Sequence, residues 1–313
     1  MKRTRIIAMT LVLVLILALC GCQLDDYLDS SLTWGPTSST SGSSVDANPS
    51  IDNIPEVDKN ENFEIHFLDV GQADAAVVIC DGQAMLIDGG NRADSDLIYA
   101  YLKTIGVDHL AVLIGTHGHE DHIGGLAGGL EYATVDKVYC SVTNYNSKTF
   151  DNFKSAVNKR GAEIEVPEAG YTFNLGSAVC QIVGPVQEFE DPNDTSIVVR
   201  IVYGETSFLF TGDAEYSAET AILDAGYTID CDVLKVGHHG SSTSTGYRWL
   251  REASPEYAVI SVGKDNSYGH PHEATMSRLD DADVTVYRTD FHGHVVCKSD
   301  GKEITFACKK NAS

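Results

Sequence analysis

Three histidines, His117, His119 and His122, fall within six residues, with Asp121 among them. Imidazole and carboxylate are the ordinary ligands of zinc, iron and manganese. The cluster follows the apolar run 109–114 and is bordered by Gly118, Gly124 and Gly125, which places it in a loop at the end of a buried strand. His117 and His119 are spaced to point at one ion, and Asp121 and His122 at a second. Two further apolar runs end in ligand residues: 208–210 leads into Thr211-Gly212-Asp213, and 233–236 into Gly237-His238-His239. Taken singly, a strand-end Asp is more often a helix cap and a His pair is often structural. Three such ends in one chain point to a metal centre, with Asp213 placed to bridge two ions.

The elements that must position these residues are legible in the hydrophobic pattern. Residues 63–68 alternate as a strand, and 75–80 and 83–88 read as a hairpin around Asp81-Gly82. Helical spacing spans 94–105, 149–160 and 216–224, and strands are expected at 109–114, 135–140, 196–203, 207–210 and 231–236. Helices alternate with strands, and hairpins recur, which predicts sheets carrying helices on their outer faces. A tight turn at Asp300-Gly301 would set Cys297 opposite Ile304. The six cysteines of the body form no CxxC pair, so a zinc knuckle is not supported, and no disulfide is assigned.

The pattern His-x-His-x-Asp-His resembles the signature of the metallo-β-lactamase superfamily. The resemblance narrows to the extracellular metallo-β-lactamase-like domain of ComEC-type competence proteins. Phe67-Leu68-Asp69-Val70-Gly71-Gln72-Ala73-Asp74-Ala75 is similar to that group's opening, with Ala73 in place of a Gly. Leu86-Ile87-Asp88-Gly89-Gly90, Asp194-Thr195-Ser196, Thr211-Gly212-Asp213, residues 234–241 and Asn266-Ser267-Tyr268-Gly269-His270-Pro271 follow in the group's order. The resemblance spans about residues 63–297 and implies an α/β (α+β) four-layer αββα metallo-β-lactamase sandwich holding two divalent ions, Zn or Mn.

It also implies ligand sets. Many members supply a third His to the first ion, yet no His lies between His122 and His238 here. The first site is left with His117, His119 and Asp213, with Asn193 or Asp194 nearby, and is expected to be weaker. The second would take Asp121, His122, Asp213 and one of His238 and His239; the sequence leaves that pair open, with His238 preferred. Ions roughly 3.5–4 Å apart would generate a bridging hydroxide as nucleophile. Asp121 and Asp213 thus count as catalytic, as does His270, which either protonates a leaving group, binds a phosphate oxygen or merely orients its turn. Asp69, Asp74 and Asp88 are expected to support ligand histidines. Ser241 either meets substrate or, more simply, caps the following helix. Lys235 either neutralises nearby carboxylates or is surface charge. Asp213 sits where zinc β-lactamases of the common type carry Cys, which turns the expectation away from β-lactams.

Composition constrains partners. The 313 residues carry 22 Lys+Arg against 45 Asp+Glu, a net charge of −23. Such a chain is a poor generic nucleic-acid binder, because phosphate contacts need cations. A polyanionic substrate would have to be held by metal ions or a local basic patch. Residues 1–22 read as a lipoprotein signal peptide: Lys2, Arg3 and Arg5, an apolar run from Ile6, then Gly21 before a lipidated Cys22. Residues 23–60, rich in Ser, Thr, Gly and Asp, read as a flexible tether, and 61–313 as the hydrolase domain. The expectation is an extracytoplasmic, lipid-anchored hydrolase of phosphodiesters. DNA is the first substrate, cell-wall teichoic-acid or choline-phosphate esters the alternative. A non-catalytic metal-binding surface lipoprotein is the reading from a different class.

Overall fold

The structure, a computed structural model, describes residues 62–308. The expected signal peptide, Cys22 and the tether lie outside the described residues, as do residues 61 and 309–313 of the expected domain.

The described chain opens with the antiparallel strands β1 (Phe63–Phe67), β2 (Ala75–Cys80) and β3 (Gln83–Gly89). Helix α1 (Ser95–Ile105) carries it to β4 (His109–Gly115), parallel to β3. Short helices α2 (Glu120–Ile123) and α3 (Leu126–Tyr132) precede β5 (Thr134–Cys140), and α4 (Lys148–Lys159) leads to β6 (Ile164–Glu165). An antiparallel meander follows: β7 (Thr172–Leu175), β8 (Ala178–Gly184), β9 (Val198–Tyr203) and β10 (Thr206–Phe210). Then α5 (Tyr216–Asp224), β11 (Val233–Lys235), α6 (Tyr247–Ala253), β12 (Tyr257–Ile260), α7 (Glu273–Asp281) and β13 (Thr285–Arg288) alternate, with the strands parallel. The one-turn helix α8 (Thr289–His292) and the hairpin β14 (Val295–Ser299) and β15 (Ile304–Cys308) complete the order.

These strands make two mixed sheets, ordered β15-β14-β1-β2-β3-β4-β5-β6 and β13-β12-β11-β10-β9-β8-β7. Their inner faces meet: Phe63 stacks on Phe208 and Phe67 on Phe210 at centroid separations of 4.7 and 5.6 Å. Burying each such side chain contributes about 2–3 kcal/mol. A second apolar cluster joins the first sheet to Leu97, Ile98, Leu126, Leu130, Phe150 and Phe153 of its helices. A third joins the other sheet to Ala218, Ile222, Trp249, Leu250 and Leu279. The result is the four-layer αββα sandwich expected from the sequence.

Local chemistry sets the element ends. Gly106 closes α1 in the left-handed region at φ 75°, and the Ser147 hydroxyl accepts the Phe150 N–H to open α4. The β14–β15 register differs from the tight-turn expectation. Asp300 accepts the N–H groups of Lys302 and Glu303, which makes a longer connection, and Cys297 faces Phe306 rather than Ile304. The six described cysteines are free thiols.

Helix α3 and the residue before it lie close against the start of α1 and the end of β3, and small residues permit it. A Cβ on Gly128 would stand 1.9 Å from the Ser95 carbonyl oxygen at the start of α1, and one on Gly125 2.0 Å from that of Gly89. Backbone cannot yield as a side chain does. Gly128→Ala is therefore expected to cost about 3 kcal/mol, at the upper end for overpacking. Denaturant titration checks this; a loss below about 0.5 kcal/mol, the range of an inconsequential surface change, would contradict the close approach.

Candidate metal centre

The parallel halves of both sheets deliver the polar residues from the carboxyl ends of their strands. Asp88 stands near the end of β3, residues 116–122 follow β4, Asp213 follows β10, and His238 and His239 follow β11. Asp88, His238 and His239 hold φ of 56°, 50° and 53°. Non-glycine residues pay about 1–2 kcal/mol each in that left-handed region, a strain that concentrates at functional sites.

Asp121, His122, Asp213 and His239 each turn one ligand atom into a space where all four lie within 4.8 Å of one another. His122 Nε2 is 3.2 Å from Asp213 Oδ1, and His239 Nε2 is 3.7 Å from the same oxygen and 3.4 Å from Asp121 Oδ2. Atoms each about 2.1 Å from a shared ion are at most about 4.2 Å apart, so these separations fit one divalent ion. Asp213 Oδ1, His122 Nε2 and His239 Nε2 are also buried without a hydrogen-bond partner. Native proteins rarely leave such atoms unsatisfied unless a ligand completes them. The residues present therefore fit a metal.

Both histidines of the group are held from behind. His122 Nδ1 donates to Asp88 Oδ2 at 2.8 Å, and the Thr116 N–H and hydroxyl satisfy the rest of that carboxylate. His239 Nδ1 donates to the Ser261 carbonyl at 3.1 Å and lies 3.4 Å from Asp74 Oδ1. Asp74 in turn meets the buried Lys235 ammonium at 2.7 Å. These contacts present Nε2 lone pairs forward, the usual second layer of a metal site. The electrostatics suit a cation. Burial works against charge on His239, yet Asp213 and Asp74 outweigh it and push the imidazole up to about 10. His122 is likewise raised, burial opposing and Asp213 and Asp88 prevailing.

The site opens on a cavity of about 580 Å³, lined in part by His119, Asn193, His238, Tyr268 and His270. Residues 68–264 match the family described as Metallo-beta-lactamase superfamily. The chain belongs to the metallo-beta-lactamase superfamily. It is 28% identical to ComE operon protein 3 of Bacillus subtilis over 265 residues, 78% of this chain and 34% of that protein. It is 32% identical to Recombination protein 2 of Haemophilus influenzae over 241 residues, 74% of this chain and 28% of that protein. The chain thus spans about a third of the length of these curated relatives. Among solved structures, CmlA, a diiron beta-hydroxylase from Streptomyces venezuelae, aligns with a TM-score of 0.50 at 15% identity, covering 76% of this chain and 54% of that one.

Within this metallo-beta-lactamase fold the remaining candidates are placed as follows. His117 Nε2 is 3.0 Å from His119 Nδ1, and the His117 ring is 4.2 Å from that of His122. The first pair therefore stands beside the four-residue group, and among the described residues no third ligand joins it within 4.8 Å. The preference for His238 is corrected. His239, not His238, joins the four-atom group; His238, the first of two successive left-handed residues, has Nδ1 donating to Glu215 at 3.0 Å while Nε2 faces the Asp213 oxygen Oδ2 at 3.6 Å. Asp194 accepts the N–H groups of Glu215 and Ala218 and so caps α5. Ser241 caps no helix: α6 starts from Gly246, while the Ser241 hydroxyl bonds that of Thr243. Asp69 lies outside both ligand groups, its N–H donating to His294 Nδ1. Burial and the neighbouring His238, His239 and His272 rings hold the His270 imidazole down at about 4. Lys235 is the internal counter-charge to Asp74, not surface charge. Glu215, Gln72, Asn91, Glu120 and Tyr268 were not singled out as site residues from the sequence, although Gln72 and Tyr268 lie inside the quoted motifs.

His239→Ala is expected to weaken Zn²⁺ binding by more than about 100-fold, the upper range for disturbing a metal's supporting shell. His238→Ala leaves the four-atom group complete and is expected to retain one tightly bound ion. Calorimetric titration with metal analysis distinguishes them; the reverse ranking would return the ligand role to His238.

Proposed function

We propose that this chain is a metal-dependent phosphodiesterase or nuclease working outside the cytoplasm, tethered through a lipidated Cys22. One observation carries the hydrolytic reading: an Asp121–His122–Asp213–His239 group, buried except at Asp121, that opens onto a substrate-sized cavity. When bound, divalent ions, Zn or Mn, would supply Lewis acidity and an acidified water. The chain's own residues hold and orient. Asp88 and the Ser261 carbonyl fix the His122 and His239 rings, and Asp74 with Lys235 balances charge behind them.

Nucleic acid as substrate draws support from the similarity to Recombination protein 2, a protein named for recombination. Tyr268, 67% exposed at the cavity and stacked near His270, offers an aromatic face of the kind that bases use. The second reading, a teichoic-acid or choline-phosphate diesterase, is favoured by the −23 charge and by Glu120 and Asp121 at the cavity. Acidic walls suit a zwitterion better than a long polyanion.

The test is hydrolysis of bis(p-nitrophenyl) phosphate by the full chain with Mn²⁺ or Zn²⁺. Turnover is expected, lost to chelator and reduced more than about 100-fold in Asp213→Asn. Single-stranded DNA compared with a choline-phosphate ester then separates the two substrates. Two bound ions with no diester turnover on any of these would favour the non-catalytic metal-binding reading.

A further inference from the structure

His238, His239 and His270 line the cavity and His122 stands against Asp213 behind it, and their hydrogen bonds divide these four imidazoles. His122, His238 and His239 each direct Nδ1 at an acceptor: the Asp88 carboxylate, the Glu215 carboxylate and the Ser261 carbonyl. Nδ1 must carry the proton in all three, which leaves an Nε2 lone pair when the ring is neutral. His270 is built the other way round. Its Nδ1 lies 3.2 Å from Gln72 Nε2. The Gln72 amide cannot be reversed, because its Oε1 accepts the Gly263 N–H at 3.1 Å, and a backbone N–H only donates. Gln72 Nε2 therefore donates to His270, whose Nδ1 must be an unprotonated acceptor. The ring proton sits on Nε2.

The surroundings keep this arrangement in place. A Cβ on Gly263 would be 2.6 Å from the Gln72 backbone nitrogen, so the two segments are pressed together. Asn266 ties the loop: Nδ2 donates to the Gly263 and His270 carbonyls, and Oδ1 accepts the His270 and Tyr268 N–H groups. The Tyr268 ring stacks on one side of His270 at 5.7 Å, and His272 stands edge-on at 4.7 Å. Among the described residues His270 Nε2 has no hydrogen-bond partner, and the ring lines the cavity.

We propose that Gln72 is a positioning residue that locks His270 as the Nε2–H tautomer, making His270 a neutral hydrogen-bond donor to an oxygen of the substrate's phosphoryl group. This rests on the phosphodiesterase reading. It selects among the alternatives the sequence left open for His270. An Nε2–H cannot ligate a metal, and a neutral imidazole N–H is far too weak an acid to protonate a leaving group. It can meet charge that grows on a phosphoryl oxygen, the role in which a fixed donor is most effective.

The experiment uses the full Zn²⁺-loaded chain with ¹⁵N-labelled histidine. The His270 ring nitrogens are expected to report a protonated Nε2 and a bare Nδ1, and titration with inorganic phosphate is expected to shift the Nε2–H signal. Gln72→Glu replaces the donor by an acceptor and is expected to move the proton to Nδ1 or add a second one. His270→Ala is expected to keep its metal content while kcat on the nitrophenyl diester falls about 100-fold or more, with KM changed less than about threefold. His270→Gln, which restores an N–H, is expected to recover part of that loss. A wild-type Nδ1–H tautomer, no response to phosphate, or metal loss in His270→Ala would overturn the proposal. The tautomer and phosphate signals need no turnover, so failure of the diesterase reading alone would leave them intact and distinguishable.

Discussion

The Asp213 carboxylate is the point on which this molecule turns. It is 2% exposed, between two sheets, with His122 and His239 against one oxygen and His238 against the other. An isolated carboxylate at that depth would be prohibitive. Burial pushes its pKa up, but the His122 and His239 charges outweigh burial and hold it well below the usual range. Cations, whether imidazolium protons or metal ions, are thus a condition of the fold closing here. Asp74, Asp88 and Asp121 add to the same demand, and among the described residues Lys235 is the one ammonium paired inside the group.

The two-sheet architecture follows from that demand. Parallel strands ending at a common edge let short loops project polar residues while apolar strands carry them there. Each sheet supplies half the group: residues after β4 bring Asp121 and His122, and residues after β10 and β11 bring Asp213 and His239. Neither sheet supplies more than two of the four ligand atoms of that group. The left-handed residues at Asp88, His238 and His239 are the local cost of aiming side chains across that gap.

Much of this was legible in the residues. Asp121, His122 and Asp213 could be singled out as candidate ligands because the first two lie in a dense His/Asp cluster and the third ends an apolar run. The layered class was readable from strands alternating with helices. What escaped depends on backbone dihedrals and on contacts distant in sequence. Choosing His239 over His238 needs the two successive positive φ values, which neighbouring residue types do not announce. The partners of Asp194 and Ser241, the start of α5 and Thr243, are likewise set by the fold. Gln72 and Glu215 act on histidines 198 and 23 positions away.

The most direct measurement is anomalous diffraction from crystals of the Mn²⁺-soaked protein. The account predicts an ion held by Asp121, His122, Asp213 Oδ1 and His239, with His270 outside the coordination sphere. Manganese bound elsewhere, or absent at millimolar concentration from a group so fully shaped for it, would contradict the central claim.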